Sequence, residues 1–216
     1  MKFVYRIVSI LIGYLFGLIQ TAYFYSKSKG VDIRTVGSGN AGSTNVARAL
    51  GNNSGLIVFA CDVAKCCAAV LVCRLLFADS PAEARLITMY AGVGCTLGHD
   101  FPFYMNYRGG KGIACLAGVA LMFSVPVWAA TWLTFIVVHL ASHYVSLGSL
   151  CGSAVFFISV VISAVTGAFG LNTDHGIEVC AAAFLLAALA FWQHRTNIGR
   201  LIKGTESKKG AFIGKN

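Results

Sequence analysis

Charge is what this sequence has least of. Only 12% of its 216 residues are charged, against 57% hydrophobic. A soluble domain carries about twice that charged fraction, so an ordinary water-soluble globular fold is excluded. Acidic residues are scarcer still, eight against seventeen lysines and arginines, which argues against a carboxylate-rich active site or metal centre. Cysteine is present eight times, but without CxxC pairs or accompanying histidines. Cys61, Cys66, Cys67, Cys73, Cys95, Cys115, Cys151 and Cys180 lie mostly inside apolar stretches and read as small packing residues, not as metal ligands or disulfides. The start also lacks the A-x-A-like exit of a cleaved signal peptide, and its apolar run is longer than the usual ~7–15 residues.

What the sequence has instead is hydrocarbon. Its mean hydropathy is +0.73, and runs approaching the ~20 residues that cross a bilayer core recur along the whole length. The apolar runs predict an all-α, polytopic integral membrane protein, one domain over 1–216, with seven transmembrane helices. They are placed at Phe3 to Tyr25, Ser54 to Phe77, Ala84 to Leu97, Ile113 to Phe123, Val127 to Tyr144, Leu147 to Phe169 and Ile177 to Trp192. The third and fourth are short. The fourth and fifth can also be read as one kinked helix broken at Pro126.

Charge separates these topologies, because cytoplasmic loops retain Lys and Arg. Seven spans put Lys27, Lys29, Arg34, Arg48, Arg108, Lys111 and the tail's Arg195, Arg200, Lys203, Lys208, Lys209 and Lys215 on one side. The other side has Lys2, Arg6, Arg74 and Arg85 with the acidic Asp79, Glu83, Asp174 and Glu178. The expected orientation is N-terminus outside and C-terminus cytoplasmic, with Lys2 and Arg6 pulling the other way. The net charge of +9 is then a topology signal and an attraction to anionic membrane lipids, not a nucleic-acid surface.

The stretch "VGSGNAGSTNVAR", Val36 to Arg48, carries Gly37-x-Gly39-x-x-Gly42 after a strand-like "VDIRT", with Asp62 twenty residues on. Alone it reads as a dinucleotide-binding turn. Such a turn needs a surrounding βαβ sheet, and only about 28 residues separate the first two predicted spans. Asp62 falls inside the second span, so the dinucleotide reading is rejected.

Two further polar clusters share its side of the membrane: "GHDFPFYMNYRGGKGIA" from Gly98 and "HRTNIGRLIKGTE" from His194. The three combine glycine backbone, amide or hydroxyl groups and a cation. The first has Ser38, Asn40, Thr44, Asn45 and Arg48, the second Gly109, Gly110, Lys111 and Gly112, and the third His194, Arg195, Asn197 and Arg200. Glycine lets successive N–H groups converge on phosphate oxygens, a following helix adds partial positive charge, and Lys or Arg neutralises the rest. The "RGGKG" run is not a Walker A loop: no glycine lies five before Gly110, and Gly112 follows the lysine. His194 and Asn197, three apart at the end of the seventh helix, share a face while Arg195 points elsewhere. Asp62 and Lys65, at i and i+3 in the second span, read as a neutralised intramembrane pair that supports the site.

These three stretches closely resemble the signature motifs of the bacterial acyl-phosphate:glycerol-3-phosphate acyltransferases (PlsY), in the same order and over nearly the whole chain. "DVAK" in the second span and "HYVSLGSL" before the sixth look like shorter features of that family. Cys66, Cys115 and "GLIQTA" depart from its usual Gly, Thr and Gly-Ser-x-Pro. The resemblance implies an enzyme of the bacterial inner membrane, active at the cytoplasmic face, moving a fatty acyl group from acyl phosphate to the sn-1 hydroxyl of glycerol 3-phosphate. The products would be lysophosphatidic acid and phosphate, an early step of phospholipid biosynthesis. It implies no cofactor and no metal, and a functional link to the enzyme that makes acyl phosphate. Ser38, Arg48, Lys111, His194 and Asn197 match positions that bind glycerol 3-phosphate and organise transfer. Asn40, Thr44 and the loop of Gly109, Gly110 and Gly112 match the region that holds the donor's phosphate, and Gly42, Asn45 and His99 are expected with them among the substrate- and phosphate-binding residues. Asp62, Lys65, Arg195, Arg200 and Glu206 are expected to support them.

The H-x4-D acyltransferases are excluded, since none of the five histidines has Asp five residues later. A small anion permease is the competing class. It would place its cations near the midplane on broken helices, with repeated halves, whereas these clusters are interfacial and no repeat is evident.

Overall fold

The computed structural model describes residues 2–171 and 173–208, so the charges counted at Lys209 and Lys215 lie outside the described residues. Among the described residues the chain is helical without strands: α1 Lys2–Gly17, α2 Thr21–Ser28, α3 Ser43–Leu50, α4 Asn52–Phe77, α5 Pro81–Asp100, α6 Ile113–Phe123, α7 Val125–Ser142, α8 Val145–Val165, α9 Thr173–Gln193 and α10 Arg195–Ile202. Among the described residues, five stretches are long and apolar enough to cross a membrane: Phe3–Ser28, Asn52–Phe77, Val125–Ser142, Val145–Val165 and His175–Gln193. The third and fourth predicted spans, now α5 and α6, fall short of that test for different reasons.

α6 has 11 residues, about 16 Å at 1.5 Å per residue, or half the hydrocarbon thickness. It is apolar because it is enclosed: eight of those residues are buried, against α4, α5, α7 and α8. A helix apolar on every side reads the same whether lipid or protein surrounds it. α5 has 20 residues, enough to cross, but it packs against α1, α4, α6 and α9. It therefore carries Thr88, Thr96, His99 and Asp100 in buried positions, and these lower its apolarity.

α6 and α7 are separate helices. Ser124 between them is extended (φ −169°, ψ 134°), its hydroxyl accepts the Val127 N–H, and Pro126 falls in the first turn of α7. Proline is tolerated there because that N–H has no helical partner. A cap and restart thus replaces the single helix kinked at Pro126.

The predicted first span is also broken, between α1 and α2. The buried Gln20 amide donates to the carbonyls of Gly17, Gly98 and His99. The Lys65 ammonium lies 2.7 Å from Ile19 O, and the Tyr104 hydroxyl donates to Leu18 O. Unwound backbone at membrane depth needs such partners. Around the break, α1 and α5 run parallel in close contact. A Cβ on Gly13 or Gly17 would overlap the carbonyls of Ala91 or Cys95, and one on Gly94 or Gly98 those of Ile10 or Tyr14. Two facing G-x-x-x-G faces let the backbones meet, the packing that helices use where lipid supplies no hydrophobic drive.

From α4 to α9 the helices alternate in direction. The N-terminal turns of α4, α6 and α8 and the C-terminal turns of α5 and α7 line one cavity, with His194 just beyond α9. Towards the opposite end, Arg6 of α1 pairs with Glu178 of α9 at 2.6 and 2.7 Å, and the Tyr90 hydroxyl donates to the same carboxylate.

Candidate functional site

The cavity has a volume of about 520 Å³ and two chemically different ends. At the polar end are Ser38, Asn40, Thr44, Arg48, Lys111 and Asn197; at the apolar end α4 and α7 contribute Leu56, Phe59, Trp132, Phe135 and Ile136. Phe59 stacks on Trp132 with centroids 5.2 Å apart, and Trp132 on Phe135 at 4.9 Å.

The first loop is held by Asn45. Its Oδ1 accepts the Ser38 N–H at 2.9 Å, and its Nδ2 donates to Ile33 O and Val36 O. Gly37 and Gly39 take positive φ, 58° and 68°, which only glycine adopts at little cost. Asn45 lines the cavity, but its amide is committed to shaping the loop. There is no strand before it; Arg34 folds back onto Asp32 in a turn. α3 begins after Gly42, which also lines the cavity, and the first N–H groups of a helix have no helical partner.

The second loop departs from the expected cradle of glycine N–H groups. The Gly109 N–H donates to Asp100 O and the Gly110 N–H to His99 O, both at 3.0 Å. These donors are spent on the end of α5. The glycines serve close packing instead: a Cβ on Gly109 would overlap His99 O, and one on Gly110 the His99 ring. Asn40 Nδ2 donates to Gly109 O at 3.0 Å, tying the first two loops together. Gly112, at φ 73°, caps α6, and the unspent N–H groups here are those of the first α6 turn.

The third cluster is built around a carboxylate. Glu206 Oε1 accepts from Asn197 Nδ2 at 2.6 Å and from the Ser146 hydroxyl at 2.9 Å, and Oε2 accepts from Arg200 Nε at 2.6 Å. Burial pushes the Glu206 carboxyl up, but these three donors outweigh it and hold it below the usual range. A carboxylate this occupied serves as a brace and not as a base. Asn197 in turn accepts from Lys111 Nζ through Oδ1. Burial, followed by repulsion from Arg200, lowers the Lys111 pKa to about 8. His194 caps α10, so the pair His194 and Asn197 straddles a helix start instead of lying on one continuous helix; both are buried. Its Nδ1 lies 2.7 Å from Ala190 O. A carbonyl only accepts, so Nδ1 carries the proton and Nε2 is left as an acceptor. Burial, with Lys111 nearby, lowers the His194 pKa to about 4.

The supporting pair is formed: Lys65 Nζ lies 2.7 Å from Asp62 Oδ1, both side chains almost fully buried. Lys65 also lies 3.0 Å from His99 Nδ1, which must accept from an ammonium. Asp62, His99, Arg200 and Glu206 reach the cavity, whereas Lys65, Gly109, Gly110, Gly112 and Arg195 do not line it. Arg195 lies over the Trp192 ring at 4.9 Å and donates to Trp192 O.

The sequence matches a family model described as glycerol-3-phosphate acyltransferase across residues 7–204. The chain belongs to that family. A glycerol-3-phosphate acyltransferase of Thermoanaerobacter sp. (strain X514) is 40% identical over 207 residues, covering 95% of this chain and 96% of its own. The fold agrees with two crystal structures of PlsY (YgiH), an integral membrane glycerol 3-phosphate acyltransferase. Its glycerol 3-phosphate form aligns with a TM-score of 0.81 at 32% identity, covering 97% of this chain and 96% of that one. Its lysophosphatidic acid form aligns at 0.79 and 30%, covering 95% and 97%. The family's three motif stretches are the ones that converge on the cavity. Reading motifs missed the apolar wall and His139, Ser146 and Ser149. Their one signal was the i, i+3, i+7 spacing of Trp132, Phe135 and His139 running into "HYVSLGSL".

Proposed function

We propose that this protein transfers a fatty acyl group from acyl phosphate to the sn-1 hydroxyl of glycerol 3-phosphate, giving lysophosphatidic acid and phosphate. It does so as one seven-span domain of the bacterial inner membrane, with the N-terminus outside and the motif loops cytoplasmic, drawing on the enzyme that makes acyl phosphate. The observation that carries this reading is the cavity itself, cationic and amide-rich at one end and aromatic at the other. Two phosphorylated substrates, one with an alkyl chain, need that combination.

In this reading Ser38, Arg48, Lys111, His194 and Asn197 bind glycerol 3-phosphate, while Asn40, Gly42, Thr44 and the first turn of α6 receive the donor phosphate. The glycerol hydroxyl oxygen attacks the acyl carbonyl carbon, the carbon–oxygen bond to phosphate breaks, and phosphate leaves. The hydroxyl proton passes to a donor phosphate oxygen, directly or through His194 Nε2. His194 is a weak base at a pKa of about 4, so phosphate is the better final acceptor. A mixed anhydride is already activated, and positive charge and N–H dipoles at its oxygens supply the remaining stabilisation. No acyl-enzyme forms, because covalent catalysis needs a nucleophile with its own activating base.

Purified protein supplied with palmitoyl phosphate and glycerol 3-phosphate is expected to make lysophosphatidic acid. Uptake of phosphate into liposomes without acyl transfer would establish the permease instead. Incubation with labelled palmitoyl phosphate alone is expected to leave the protein mass unchanged. A stoichiometric acyl adduct, discharged by glycerol 3-phosphate and absent in Ser38→Ala, would refute direct transfer.

A further inference from the structure

His139 of α7 is the least explained polar group at the cavity. It lines the cavity wall and is only 6% exposed, yet neither Nδ1 nor Nε2 has a hydrogen-bond partner among the described residues. Buried polar atoms are nearly always paired. Its neighbours on α8 cannot supply a proton, since the Ser146 hydroxyl donates to Glu206 and the Ser149 hydroxyl to Val145 O. The imidazole stacks on Phe135 at 5.9 Å and so forms the last rung of the ladder Phe59, Trp132, Phe135, His139. A phenylalanine at 139 would continue that ladder without leaving two nitrogens unpaired, so packing does not explain the imidazole.

We infer that His139 contacts the acyl donor, giving a ring N–H to the acyl carbonyl oxygen where the chain leaves the phosphate-binding end for the apolar wall. The inference rests on the acyltransferase reading above. A neutral imidazole offers one donor and one acceptor. The donor's carbonyl supplies the acceptor, and it is joined to the chain that lies along the same ladder. The contact strengthens as the carbonyl oxygen gains charge in the transition state.

The test compares His139→Phe and His139→Gln with wild type, using palmitoyl phosphate and glycerol 3-phosphate and determining kinetics for each substrate, with His139→Leu replacing any Phe variant that fails to fold. His139→Phe is expected to lose about tenfold or more in kcat/KM for palmitoyl phosphate, with KM for glycerol 3-phosphate within about twofold. Tm should be unchanged or higher, and His139→Gln, which keeps an N–H, should recover part of the loss. Unchanged palmitoyl phosphate kinetics in folded His139→Phe would overturn the inference. So would an equal loss in His139→Gln that follows a lowered Tm. Wild type without product would refute the acyltransferase reading instead. Palmitoyl phosphate titration by tryptophan fluorescence then still decides His139, with equal affinity of wild type and His139→Phe counting against it.

Discussion

Lys111 is a cation close to losing its charge. Burial and the neighbouring Arg200 lower its pKa to about 8, so in the substrate-free protein it is protonated below that value and becomes neutral above it. The protonated form is the one that attracts phosphate, so kcat/KM for glycerol 3-phosphate should fall as pH rises through about 8, and a bound dianion should move the kcat limb higher. A pH profile of both parameters checks this. Lys111→Ala removes a charge-assisted contact worth roughly 1.5–3 kcal/mol, so kcat/KM should fall at least about tenfold. Lys111→Arg should not restore it fully, because a planar fork does not replace a point charge in this packed corner. Glu206 acts differently: Glu206→Ala leaves the buried Asn197 amide and the exposed Arg200 guanidinium without their acceptor, which should lower Tm and raise KM together. In Glu206→Gln a carboxamide can still accept from Asn197 and Ser146, and should retain more of both.

At the scale of elements, the α1 and α5 seam brings two helix backbones into direct contact. Gly94→Leu or Gly98→Val forces side chains into the carbonyls of Ile10 or Tyr14, and overpacking costs typically 1–3 kcal/mol. Thermal unfolding in detergent should show lower midpoints, whereas Leu at the open Gly199 should cost far less. Gly13 and Gly17 are a G-x-x-x-G pair visible in the sequence, but which helix they face is a tertiary fact. Apolar runs located every long helix, since hydropathy reports helices that lipid surrounds. They also marked α5 and α6, which protein surrounds and which fall short of the apolarity or the length of the other spans, and they missed the break at Gln20 because no proline marks it. The site was legible where side-chain type decides, as in the cation at Lys111 and the i, i+3 pair of Asp62 and Lys65. It was not legible where backbone direction decides: Gly109 and Gly110 look like phosphate-binding glycines, and their N–H groups point into the end of α5.

Across the whole molecule, alternating helix directions gather the three motif stretches at one end of the bundle and the Arg6 and Glu178 pair towards the other. With the motif end cytoplasmic, a single cysteine replacing Asp79 and one replacing Lys208 should react with impermeant thiol reagents from opposite sides of the membrane, on a background without reactive native thiols. Labelling of both from the same side would refute the seven-span arrangement. The cavity is lined by loops at its polar end and by α4 and α7 at its apolar end, an arrangement that suits the two substrates of the proposed reaction. The brace at its polar end also has a place in time. Glu206 follows the ten α-helices of the described residues, so a ribosome makes each of them before it adds the carboxylate that holds Asn197 and Arg200. A chain stopped at residue 202 would insert the described membrane helices and still lack that brace, so the polar end of the cavity is held only once translation has passed them.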